Sequence, residues 1–110
     1  LKKPEQKAVV KSVEEHLLTP YGLRTLAPDH PDFKTEYSGD VWKRDKAYHQ
    51  GTVWPFLLSE YVEAKLKTAG NTPKNKKALS ALIKPLEQHF YTDNCLHGVS
   101  EIFDGLHPTT

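Results

Sequence analysis

The chain has 110 residues, enough for one small domain whose core is modest for its surface. Apolar residues supply 37% and charged residues 26% of it, a balance that excludes a disordered chain and describes a soluble globular one. Basic and acidic side chains number 15 and 14, so the formal net charge of +1 gives little attraction for nucleic acid or an anionic membrane, and neither is an expected partner.

The first predicted element is a helix over residues 4–18. Pro4 suits its first turn, and Ala8, Val9, Val13, Leu17 and Leu18 recur near helical spacing. Thr19-Pro20 ends it, because a residue before proline avoids the helical region. Residues 19–51 then read as a long irregular segment punctuated by Pro20, Gly22, Pro28, Pro31 and Gly39. Loops this long are uncommon in compact domains and often carry function. This one also holds Tyr21, Phe33, Tyr37, Trp42 and Tyr48, many aromatics for a passive linker.

A second helix is expected over 52–69, capped by Thr52, with Pro55 in its first turn and Gly70 as its stop. Val53, Phe56, Leu57, Tyr61, Ala64 and Leu66 would supply its buried face. A third is expected over 73–91, capped by Thr72, with a stripe of Leu79, Leu82, Ile83, Leu86 and Phe90. Pro85 inside it predicts a kink or break. Residues 92–110 again read as irregular. The resulting class is all-α: about three helices and two long loops, with no substantial sheet.

Two clusters could carry chemistry. The first is Gly39-Asp40-Val41-Trp42-Lys43-Arg44-Asp45 with Tyr48-His49-Gln50-Gly51-Thr52-Val53-Trp54-Pro55. Flat indoles can cover the apolar C–H face of a sugar, while Asp, Arg, His and Gln can bind its hydroxyls. The same residues can equally be core tryptophans beside a structural knot of Asp40, Arg44 and Asp45. The second cluster is Ser100-Glu101-Ile102-Phe103-Asp104-Gly105. On a turn Glu101 could act as general base; glycoside hydrolysis pairs such a base with an acid ~6.5–9.5 Å away for inversion or ~5–5.5 Å for retention. The plain alternative is two solvated acids.

Other signals weigh less. The six histidines lack zinc spacing, and Cys95 with His97 falls short of a four-ligand set, so no metal and no other cofactor is expected. Cys95 has no activating pattern and no internal disulfide partner; a lone cysteine fits a reducing compartment, the cytoplasm. Lys74, Lys76 and Lys77 read as a solvated helix face. No glycine-rich phosphate loop, apolar membrane span or signal-peptide pattern is present. The chain opens on Leu1 rather than methionine, a sign of processing, trimming or a missing start.

Three stretches, in order, resemble segments of the amylo-α-1,6-glucosidase domain of bacterial glycogen debranching enzymes. Leu17-Leu18-Thr19-Pro20-Tyr21-Gly22-Leu23-Arg24-Thr25-Leu26 is similar to that family's LLTPYGLRSL, Tyr48 to Pro55 to its YHQGTVWP, and Ser100 to Gly105 to its SEIFDG. The resemblance runs from about Leu17 to Gly105. It implies an (α/α)6 barrel with a sugar site in the loops at one end, and removal of the single glucose left at an α-1,6 branch point of glycogen or a limit dextrin. It further implies Glu101 as the catalytic base, with Trp42, Arg44, His49, Gln50, Trp54 and Asp104 as substrate contacts.

The departures shape the expectation. The resemblance places the general acid in an earlier helix–loop segment, with no counterpart before Leu1. After Gly105 the family continues into an acidic stretch containing proline and arginine, then a last helix, where this chain reads Leu106-His107-Pro108-Thr109-Thr110. Residues 1–110 are thus expected to form one partial domain of such a glucosidase, inactive alone and self-associating through exposed helix faces. Two alternatives stay open: a non-catalytic carbohydrate-binding or assembly module, and a plain helical interaction domain.

Overall fold

The computed structural model describes residues 1–92 and 98–108. Cys95 and His97, set aside above as metal ligands or nucleophile, lie outside the described residues, as do Thr109 and Thr110.

Helix α1 spans Lys3–His16. Pro4 occupies its first turn, and the Glu5 carboxylate accepts the Lys2 backbone N–H at 3.0 Å. The chain then makes a tight hairpin of β1 (Leu18–Thr19) and β2 (Gly22–Arg24). The Thr19 hydroxyl locks the turn, donating to the Gly22 carbonyl at 2.9 Å and accepting from Tyr21 N–H at 3.3 Å. Helix α2 (Val41–His49) follows, with Asp40 as cap: its Oδ1 accepts from Lys43 N–H at 2.9 Å. Strand β3 (Val53–Trp54) joins β2 antiparallel, with Leu23 opposite Trp54 and Arg24 opposite Val53. Helices α3 (Leu57–Ala69), α4 (Pro73–Leu82) and α5 (Lys84–Thr92) complete the described elements.

The all-α class, and with it the reading as a purely helical (α/α)6-barrel fragment, is therefore corrected. Among the described residues, five helices accompany a three-stranded antiparallel sheet in the order β1-β2-β3. The reason lies in residues 52–56. Their caps and apolar spacing suit a helix start, but β2 offers an open edge. Val53 and Trp54 pair with that edge, leaving Val53 fully buried. The helix expected from Thr52 thus begins only at Leu57, and Phe56, assigned to its buried face, is 66% exposed. The irregular segment 19–51 is likewise corrected, since it contains the end of β1 and all of β2 and α2. Its strands are only two and three residues long, too short for a readable alternation.

The break expected at Pro85 is present: α4 stops at Leu82 and α5 restarts at Lys84. Proline lacks the N–H for the residue-81 carbonyl and its ring clashes there. Thr72 caps α4 as expected, accepting from Asn75 N–H at 3.2 Å.

The core gathers Val10 of α1, Leu23 of β2, Leu58 and Tyr61 of α3 and Leu79 of α4. Val13, Leu17, Leu66, Leu82 and Leu86 pack around it. The Tyr61 hydroxyl reaches out of this core and donates to Glu14 at 2.9 Å, and Glu14 also pairs with Lys65 at 2.5 Å. The Lys65 hydrogen bond leads in pulling the Glu14 carboxyl below its usual range. Burial, then the Glu14 hydrogen bond, push Tyr61 up to about 12. One position explains how tightly hairpin and β3 sit together. Gly22 holds φ +151°, and a Cβ there would lie 2.5 Å from the Trp54 carbonyl oxygen.

Candidate functional site

Val53 is the meeting point of the three sequence segments singled out above. On one side it pairs with Arg24 of the hairpin. On the other it forms an antiparallel bridge with Phe103, both hydrogen bonds at 2.9 Å. Residues 98–108 thus reach the sheet as a fourth, single-residue rung. Further bonds fix them there. The Arg24 Nε donates to the Gly105 carbonyl at 2.7 Å, across 81 residues of sequence. Gly105 N–H donates to the Thr35 carbonyl at 3.0 Å, and Asp104 Oδ1 accepts Tyr37 N–H at 2.9 Å. Partial burial lowers the Arg24 guanidinium from its ordinary value.

The Phe103 ring anchors this rung below. It stacks on Tyr21 at 4.8 Å and meets the buried His89 edge-on at 4.9 Å. Two residues earlier in the chain, Glu101 is exposed and acts electrostatically on Tyr48. Partial burial, then the Glu101 charge and a hydrogen bond with it, raise the Tyr48 pKa, with Tyr37 adding to the effect.

Tyr48 sits in the last turn of α2 inside an aromatic cluster. Its ring lies 4.4 Å from Trp54, 5.1 Å from His49 and 5.7 Å from Tyr37. The Trp54 Nε1 donates to the Tyr48 carbonyl at 3.0 Å, which ties α2 to β3. Trp54 also meets Phe56 edge-on at 5.8 Å. A shallow cleft of about 200 Å³ opens here, lined by Thr25, His49, Trp54, Phe56 and Leu57. A larger open cleft of about 420 Å³ is lined by Lys34, Lys43 and Lys46 with Phe33, Thr35, Glu36 and Ser38. Its lining includes no residue of the three segments, so the candidate site is the Glu101–Tyr48–Trp54 region.

The expected site residues fall into two groups. Glu101 acts on Tyr48, and His49 and Trp54 pack directly on Tyr48. Arg44 stands one helical turn before Tyr48 on α2, with an exposed side chain. Trp42 stands two turns before His49 on the same face and is 77% exposed. Gln50 caps α2, and its carbonyl accepts from Lys34 N–H at 2.6 Å. Asp104 is engaged with the backbone of Tyr37 rather than open to a ligand at that oxygen. Asp40, weighed as part of a salt-bridge knot, is a helix cap instead.

The sequence does not reveal Tyr48 as a neighbour of Glu101, or Arg24 and His89 as supports of its segment. Tyr48 opens the Tyr48–Pro55 stretch, which is the available signal. Arg24 likewise lies inside the Leu17–Leu26 stretch, but its partner Gly105 is 81 residues away, and His89 lies in none of the three stretches. Among the described residues, no group of three His, Cys, Asp or Glu side chains is placed to hold a metal ion, and no helix is long and apolar enough to cross a membrane.

The family model described as amylo-alpha-1,6-glucosidase matches residues 1–110. No curated protein and no solved structure matches the chain.

Proposed function

Since the chain belongs to the amylo-alpha-1,6-glucosidase family, we propose that it supplies the base-bearing part of a glycosidase acting on α-1,6-linked glucose of glycogen or a limit dextrin. The observation that carries this is the convergence of the three segments on Val53, with the Glu101 carboxylate exposed and acting on Tyr48, whose ring packs against Trp54 and His49. An exposed carboxylate on a fixed rung is suited to accept a proton from water. Tyr48 beside it is a neutral hydroxyl that can donate to that carboxylate or to a sugar oxygen. His49 and Trp54, with Trp42, Arg44, Gln50 and Asp104 around them, are the proposed substrate contacts.

The 110 residues alone form a partial domain that does not turn over substrate. Hydrolysis also needs an acid for the leaving oxygen, and a positioned acid or base contributes ~10²–10⁴-fold. Asp104 is held by Tyr37 N–H and sits three residues from the base. Asp40 is committed to capping α2. Exposed Leu1, Val9, Val41, Trp42 and Phe56 also leave apolar surface for further protein to cover.

The engagement of Asp104 and Asp40 also favours a second reading, a glucan-binding module without catalysis. One assay separates the two: glucose release from a singly branched limit dextrin, by the 110-residue chain and by a longer polypeptide carrying it. The first reading expects none from the short chain, turnover from the longer one, and near-abolition of that turnover by Glu101→Gln. Turnover by the short chain, or an unaffected Glu101→Gln, overturns it. Sugar binding with no turnover in either form supports the second.

A further inference from the structure

Glu101 is exposed, yet the residues on either side of it are pinned, and one of the pins comes from a distant helix. The Ser100 backbone N–H donates to Nε2 of His89 at 3.0 Å, across 11 residues of sequence. His89 belongs to α5 and is fully buried. Its ring also packs edge-on against Phe103 at 4.9 Å and Tyr21 at 6.2 Å. Phe103 in turn is bridged to Val53 by two 2.9 Å bonds.

We propose that His89 is a positioning residue for Glu101: its Nε2 holds the amide just before the carboxylate while its ring backs the residue two places after it. The proposal rests on the reading of Glu101 as the base. The physical reason is the length of the side chain. A glutamate on a loop tethered at one end sweeps a wide volume, and small misplacements of reacting groups are expensive. A backbone tether at Ser100 and a second at Phe103 restrict the backbone of Glu101 from both sides. A buried aliphatic residue at 89 would fill the same space but leave Ser100 N–H without its acceptor.

The acceptor nitrogen carries no proton, so the bond is N–H···N and transmits a scalar coupling between the two nitrogens. In the unsubstituted ¹⁵N-labelled chain we expect a coupling between Ser100 N and His89 Nε2. Its absence overturns the proposal without any variant having to fold. The variants add a second arm. His89→Leu should speed Ser100 amide exchange roughly tenfold, the factor that accompanies loss of one hydrogen bond. It should also return the Tyr48 ionisation, followed on the labelled ring, toward that seen in Glu101→Gln. His89→Gln, whose amide oxygen can accept the same N–H, should restore both readouts. A folded His89→Leu chain with native Ser100 exchange and native Tyr48 ionisation overturns the clamp. These readouts report geometry rather than turnover. A failure of Glu101 as base would therefore appear only in the glucose-release assay, and a failure of the clamp only here.

Discussion

A methyl group built on Gly105 would stand 2.4 Å from the carbonyl oxygen of Gly51. The end of the segment bearing Glu101 therefore lies directly on the backbone of the loop between α2 and β3, with the Phe33 ring 3.0 Å away on the same side. Gly105→Ala must push the two backbones apart, because neither obstacle at closest approach is a flexible side chain. We expect a loss of ~1–3 kcal/mol, the usual range for overpacking, read as a lower urea midpoint at unchanged slope. A midpoint equal to the parent's would contradict the contact.

Thr52 provides a test of opposite sign. It is 1% exposed, and its Oγ1 is a buried side-chain polar atom without a hydrogen-bond partner among the described residues. Its carbonyl already accepts from Thr25 N–H and Thr25 Oγ1. Thr52→Val keeps the shape and removes the unsatisfied hydroxyl. Stability should rise by ~1 kcal/mol, visible as a higher thermal midpoint; a lower one would reveal a partner for the hydroxyl.

Tyr61, Glu14 and Lys65 give a pH-dependent prediction. The folded Tyr61 pKa, pushed up to about 12, lies above the ordinary 10.0. Between those values the folded state retains a proton that the unfolded state has lost, so this contribution is intact below about pH 10 and disappears as pH approaches 12. Glu14 behaves oppositely: its lowered pKa contributes stability above the ordinary 4.5, lost as pH falls through the folded value. The comparison is with Tyr61→Phe, which leaves every other titratable group in place. That variant should be ~1 kcal/mol less stable at pH 8 and show a shallower decline from pH 10 to 12. Parallel declines in denaturation midpoint would refute the assignment.

The Trp54 indole bonds to the Tyr48 carbonyl at 3.0 Å while its ring packs on the Tyr48 ring. Trp54→Phe keeps the ring contact and deletes the bond. The expected cost is ~1 kcal/mol in overall stability, with faster amide exchange at the end of α2. Unchanged exchange there would show that β3 does not hold the helix.

Shape and exposed apolar side chains lead to a prediction of self-association. The fold measures 45 × 35 × 16 Å, a slab thin along one axis, with Val9, Val41, Trp42, Phe56 and Ile83 all exposed. We expect the sedimentation coefficient of the isolated chain to rise with concentration through the micromolar range, and Phe56→Ser to weaken that rise. A concentration-independent monomer would rule association out.

The sequence by itself determined α1, the cap at Thr72 and the break before Pro85, because capping and proline geometry act over a few residues. It also determined the family, since three ordered segments carry that information locally. What only the tertiary structure decided is where those segments meet. Residues 52–56 satisfy helix-start rules, yet Val53 is taken by two partners, Arg24 and Phe103, 29 and 50 residues away in sequence. The bond from Tyr37 N–H to Asp104 and the approach of Tyr48 and His89 to the segment bearing Glu101 likewise depend on the fold. Pairing an open strand edge and satisfying buried backbone groups outweigh local propensity, and both depend on neighbours that periodicity cannot see.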